Sequence, residues 1–500
     1  MSCRSRCPPG GAGRFRRRLP ILGLVAGASF LLSGCGDSDT PTTPEANDPP
    51  TITLTAPAAG VTYEPGGTLE IKWTASDDKG VTGVDLSYTA DGGKSGTIAS
   101  GQTGSSYTWT LPSEALFGVK VKAVAKDESG LTGEDETDIF AIVHKSERGY
   151  VTSSVCKNCH SDYYDELFKS GHPYKLNKVV DGTPPTYPFS TVPNPPQGYT
   201  WDDISYVIGG YGWKARFLDK DGYILVTGVT GVNVQYNLPR DDIGLPAGWV
   251  AYHSSDTEPK PYTCGTCHTT GWQTTAENGG KFQDGLVGIQ GTWEEPGIRC
   301  EQCHGPGGDH VAAKDPKKIS VDTEKELCGS CHFRDTNHGI LASGGFIRHH
   351  EQYDELIASG HNALSCTDCH DPHVGTRYGH AEEGGIKVTC ESCHSDKTSN
   401  AHTVPVECST CHMPRASKSA QKRDSYFGDL KTHLFKINTG TETKDAMFYT
   451  GEGGATFTRN FVTLDFVCYQ CHTDPVTGEG GGKSAKTMAE LSAKAVGIHN

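Results

Sequence analysis

Cys300-Glu301-Gln302-Cys303-His304-Gly305-Pro306-Gly307-Gly308-Asp309-His310 carries two thiols, a histidine directly after the second, and another histidine a few residues on. Cys-x-x-Cys-His is an attachment site for c-type haem: the thiols bond to the porphyrin edge, and the adjacent histidine sits beneath the ring as an iron ligand. Outward from this stretch the pattern recurs at Cys156-Cys159-His160, Cys264-Cys267-His268, Cys328-Cys331-His332, Cys366-Cys369-His370, Cys390-Cys393-His394, Cys408-Cys411-His412 and Cys468-Cys471-His472, which makes eight copies. One copy is a weak signal. Eight predict eight covalently attached haem c groups.

Of the 19 cysteines, only Cys3, Cys7 and Cys35 lie outside the motifs. Zinc sites also use Cys-x-x-Cys pairs, but they need no histidine after every second cysteine. A disulfide framework suits small secreted domains, not a 500-residue chain whose cysteines come as close pairs.

Residues 1–34 hold six arginines and no acid, with an apolar run over 19–32. That is the layout of a secretory signal, and the apolar part is too short to span a bilayer comfortably. It ends in Leu32-Ser33-Gly34-Cys35, which resembles the lipobox of bacterial lipoproteins. The resemblance implies cleavage before Cys35 and lipidation of that residue. Residues 35–50 then read as anchor and Asp-, Thr- and Pro-rich linker. Loss of the leader takes the formal charge from −15 to −21. Such acidity excludes nucleic acid as a partner.

Residues 51–144 alternate short apolar-patterned runs with turn signals. Runs at 51–55, 68–75, 84–88, 107–111, 119–125 and 139–143 predict an antiparallel sandwich. Glu70-Ile71-Lys72-Trp73 and Ala125-Lys126-Asp127-Glu128-Ser129-Gly130-Leu131 resemble bacterial Ig-like domains. Residues 149–500 form the haem-bearing domain, expected to be mainly short helices and irregular chain packed on haem. A small β-hairpin is expected where 206–217 and 223–235 flank Asp219-Lys220-Asp221-Gly222. With 35 % hydrophobic residues and 62 glycines, the chain is lean in core-forming side chains, so haem supplies much of the apolar interior there.

The motif region resembles the multihaem (octahaem) c-type cytochromes. Ser170-Gly171-His172, Ser359-Gly360-His361, Cys303-His304-Gly305-Pro306-Gly307 with His310, Cys369-His370-Asp371-Pro372-His373, Thr432-His433-Leu434-Phe435 and Gly497-Ile498-His499 carry the resemblance. It implies that histidines after or between the motifs close the second face of each iron. Thirteen histidines remain once the motif ones are set aside. The expected set is His172, His310, His350, His361, His373, His402, His433 and His499, with His349 competing for the place of His350. His253, His338 and His380 stand in reserve.

Closed irons in a contiguous file move electrons without substrate chemistry. The expected function is therefore electron transfer at the cell envelope, from a periplasmic or membrane donor to a periplasmic or extracellular acceptor. The partners would be other redox proteins, and the lipid anchor would hold the chain at the outer membrane. A multihaem oxidoreductase acting on nitrogen or sulfur oxyanions needs one iron with an open face. It is the alternative, and a subunit of an extracellular cytochrome filament is a third reading.

Overall fold

A computed structural model describes residues 46–377, 385–397, 402 and 404–499. The leader, Cys35 and His380 lie outside the described residues. Residues from Pro49 onward form one compact unit.

The first part of that unit is a sandwich. One sheet runs β1 (Thr51–Ala56), β3 (Thr68–Ser76), β6 (Ser106–Thr110). The other runs β2 (Thr62–Tyr63), β9 (Phe140–Ile142), β7 (Leu116–Asp127), β4 (Val81–Thr89), β5 (Ser95–Gln102), with β8 (Thr132–Glu136) also paired to β7. Alternation decides which face is inside. In β3, Leu69, Ile71 and Trp73 are buried while Glu70, Lys72 and Thr74 face solvent. They meet Val84, Leu86, Trp109, Val119, Val121 and Phe140 in a single core.

The segment between the first two motifs is larger than a hairpin. It is a five-stranded antiparallel sheet in sequence order: β10 (Leu176–Lys178), β11 (Ile204–Gly209), β12 (Lys214–Asp219), β13 (Gln235–Asn237) and β14 (Gly248–Val250). The tight hairpin turns at residues 210–213 between β11 and β12. The Asp219-to-Gly222 stretch is a second turn, in which the Asp219 carboxylate accepts the amides of Asp221 and Tyr223. Tyr206, Tyr262, Trp293 and Leu218 are buried on one side of this sheet, Val207, Phe217 and Val234 on the other.

Beyond it, regular structure comes in pieces too short to persist alone. Most of the helical pieces start in or run into a motif: Ser153–Lys157, Gly265–His268, Cys300–His304, Lys325–Gly329, Cys366–Cys369, Cys408–His412 and Leu464–Cys468, with a 3-10 turn at Cys390–Ser392. Among the described residues no helix is long and apolar enough to cross a membrane.

Candidate functional site

Each motif is one turn of helix. The histidine amide reaches back to the first cysteine carbonyl, as in His160 to Cys156 (2.9 Å), His370 to Cys366 (2.9 Å) and His472 to Cys468 (2.9 Å). That turn brings both thiols to one side, since residues three apart share a helix face.

The imidazoles are then fixed by what lies behind them. The Nδ1 of His268 sits 3.1 Å from the Lys175 carbonyl, that of His304 2.7 Å from Ser320, that of His412 2.9 Å from Phe435, and that of His310 2.9 Å from Asp315. A carbonyl accepts only from Nδ1–H, so Nε2 keeps its lone pair for a metal. Burial holds the His172 and His433 rings at a pKa of about 3 and His268 at about 4, hence neutral.

Across the site, rings from distant segments come to stand about 6 Å from one another, at varied angles. His160 opposes His310 at 6.2 Å between ring centres, His304 opposes His373 at 6.1 Å, and His370 opposes His433 at 6.2 Å. His394 opposes His361 at 5.8 Å, His412 opposes His499 at 5.9 Å, and His472 opposes His402 at 6.3 Å. A metal–imidazole nitrogen bond is about 2 Å, and each nitrogen stands about 1 Å from its ring centre. Two imidazoles on opposite sides of one iron therefore sit about 6 Å apart, and the observed separations fit the group.

His332 has two such neighbours, His172 at 6.3 Å and His350 at 5.9 Å. His268 has no ring at that separation among the described residues, but His350 lies within its electrostatic reach, as do Lys175, Arg216 and Arg334. Burial pulls the Lys175 ammonium down to about 8 and lowers both guanidinium groups. The remaining described histidines are engaged elsewhere. His338 pairs with Asp354 (2.8 Å), His253 with Asp256 (2.8 Å) and His144 with Glu64 (2.9 Å), and the Arg334 guanidinium lies 2.8 Å from His349 Nε2.

The thiols order the motifs in space. Cys156 lies beside Cys300, Cys267 beside Cys331, and Cys328 beside Cys366. Cys303 feels Cys328 and Cys331, Cys369 feels Cys390 and Cys393, Cys408 feels Cys390, and Cys411 feels Cys471. Numbered along the chain, the motifs run 1-3-4-5-6-7-8 in space, with motif 2 beside motif 4. The sequence carried no signal for this order.

A sandwich followed by motif turns with facing imidazoles defines a multihaem c-type cytochrome with an N-terminal Ig-like domain, holding covalently bound haem c. Residues 50–132 match the bacterial Ig domain family. The chain is 25 % identical to the multihaem cytochrome MtrA of Shewanella baltica (strain OS185) over 158 residues, 27 % of this chain and 43 % of that protein. It is 22 % identical to the dissimilatory sulfite reductase MccA of Wolinella succinogenes over 471 residues, 68 % of this chain and 64 % of that protein. The chain thus spans less than two thirds of either relative. Among solved structures it is similar to the outer cell wall cytochrome OcwA, with a TM-score of 0.41 and 18 % identity over 69 % of this chain and 86 % of that one.

Proposed function

We propose that the chain is an electron carrier of the cell envelope holding eight haem c groups, seven in file and the one on motif 2 beside motif 4. Cys35 is its lipid anchor to the outer membrane, other redox proteins are its donor and acceptor, and the domains divide near residues 50 and 145–149. Haem, when bound, supplies one-electron transfer at a potential tuned by its axial ligands and surroundings. The observation that carries the reading is the set of facing imidazole pairs, 5.8 to 6.3 Å apart, on motifs whose thiols adjoin one another. Each pair closes both sides of its site, which leaves nothing for a substrate to displace. Backbone carbonyls behind the rings hold the ligands in place as charge changes. Mass spectrometry of the exported protein should count eight haems and an acylated N-terminal cysteine. A ferric spectrum dominated by high-spin iron would refute the carrier.

His268 supports a second reading. With no ring at axial separation from it among the described residues, and with the positive charges of Lys175, Arg216 and Arg334 in electrostatic reach, motif 2 suits a small oxyanion at an open face. The likeness to a sulfite reductase points the same way. Sulfite or nitrite should then alter a high-spin signal worth one haem; a spectrum indifferent to both anions would leave the carrier alone.

A further inference from the structure

Residues 145–153, between the sandwich and motif 1, are fastened on both sides. Arg148 pairs with Glu294 at 2.7 Å. The buried Glu301 carboxylate accepts the amides of Val151 (3.0 Å), Thr152 (3.0 Å) and Gly307 (2.7 Å). Glu295 accepts the amide and hydroxyl of Ser153, at 2.9 and 2.8 Å. The Gly308 amide donates to the Gly149 carbonyl at 2.9 Å.

Under these bonds lies a small apolar core. Buried Ala141, Val143 and Val151 pack with Phe117, Val155 and Val311. Phe117 and Ala141 belong to β7 and β9 of the sandwich. Val155 precedes Cys156, and Val311 follows His310. Two glycines at positive φ lie along the contact. Gly60 (φ +65°) would place a Cβ 3.5 Å from that of Ala313, and a Cβ on Gly118 (φ +56°) would collide with Lys314 and Asp91, which pair at 2.6 Å.

The helices Ser153–Lys157 and Gly308–Ala313 have five and six residues, too few to hold their own orientation, so what they pack against sets it. We propose that the Ig-like module is the brace of the motif 1 site: Phe117 and Ala141 close one core with the segments that carry His160 and His310, and that core fixes the facing of the two rings. Phe117 is thus a positioning residue, and the module does more than separate haems from membrane. The inference rests on His160 and His310 being an axial pair.

The test uses the full-chain holoprotein. His310→Ala should turn one haem high-spin; an unchanged spectrum would remove the axial pair itself. Phe117→Ala should let cyanide enter at that same haem about tenfold faster, the factor that a loosening of about 1.4 kcal/mol gives. Phe117→Asp should perturb its ferric low-spin signal and spare the others. If His310→Ala converts the haem while both Phe117 variants keep its signal and its cyanide rate within about twofold, the brace is overturned. Should Phe117→Asp fail to mature, the Phe117→Ala rate decides alone.

Discussion

Glu301→Ala tests how the segment leading into motif 1 is held to motif 3. The Glu301 side chain is 2 % exposed and accepts three backbone amides from two separate segments. Truncation strands those N–H groups, each worth about 1–3 kcal/mol when buried without a partner. Water entering the space left by the carboxylate satisfies part of that loss, so a net cost of about 3–5 kcal/mol is expected. At about 1.4 kcal/mol per factor of ten, local opening should rise by about a hundredfold or more. A chain with a sandwich and covalent cofactors does not unfold in one step, so the assay must be local. Hydrogen exchange by mass spectrometry on peptides covering residues 145–155 and 305–313 reads it directly. Glu301→Gln keeps one accepting oxygen but turns an amide toward N–H donors, and should fall between the two. Exchange within about threefold of wild type in Glu301→Ala would show that the carboxylate does not hold the junction.

His361→Ala removes the ring opposite His394, and one motif in eight should yield high-spin ferric iron by electron paramagnetic resonance. The ring planes of His304 and His373 lie 4° apart and those of His361 and His394 lie 86° apart, so the low-spin ferric spectrum should resolve two classes; one uniform class would count against these orientations. Gly265→Ala puts a methyl within 1.9 Å of the Trp272 ring inside motif 2, and intact mass should reveal a population short of one haem. Asp85 is held below the usual carboxylate range, first by the Lys126 ammonium and then by the Gly101 amide. A depressed carboxylate stabilises above its unfolded pKa of about 4 and loses that contribution as pH falls through the folded value. Asp85→Asn should therefore flatten the acid limb of the sandwich's melting curve.

The motifs were legible because covalent attachment demands fixed residues at fixed spacing. The sandwich was legible where alternation was strong, as in Leu69-Glu70-Ile71-Lys72-Trp73. Ser95–Gln102 escaped because its small and polar residues make a solvated edge strand with little pattern. The turn at Asp219 to Gly222 was legible, and Leu218 pairs antiparallel with Ile224 across it, but the tighter turn closed by glycines at 209, 210 and 212, all at positive φ, escaped. Which rings oppose one another was not readable: nothing local tells His310 that its counterpart is His160, and nothing revealed that both His172 and His350 would gather at His332. Pairing is decided by how segments far apart in sequence fold over one another.

That pairing bears on how the protein is made. His160 emerges early, yet its counterpart follows motif 3; His412 waits for His499, which follows motif 8. Every facing pair closes a long loop, and loop closure delays contacts between residues far apart in sequence. On the proposed pairing, thioether bonds can form as each motif leaves the export channel, but the site at motif 7 stays open on one side until His499 arrives. His499→Ala should leave motif 7 in that unfinished state for the life of the molecule.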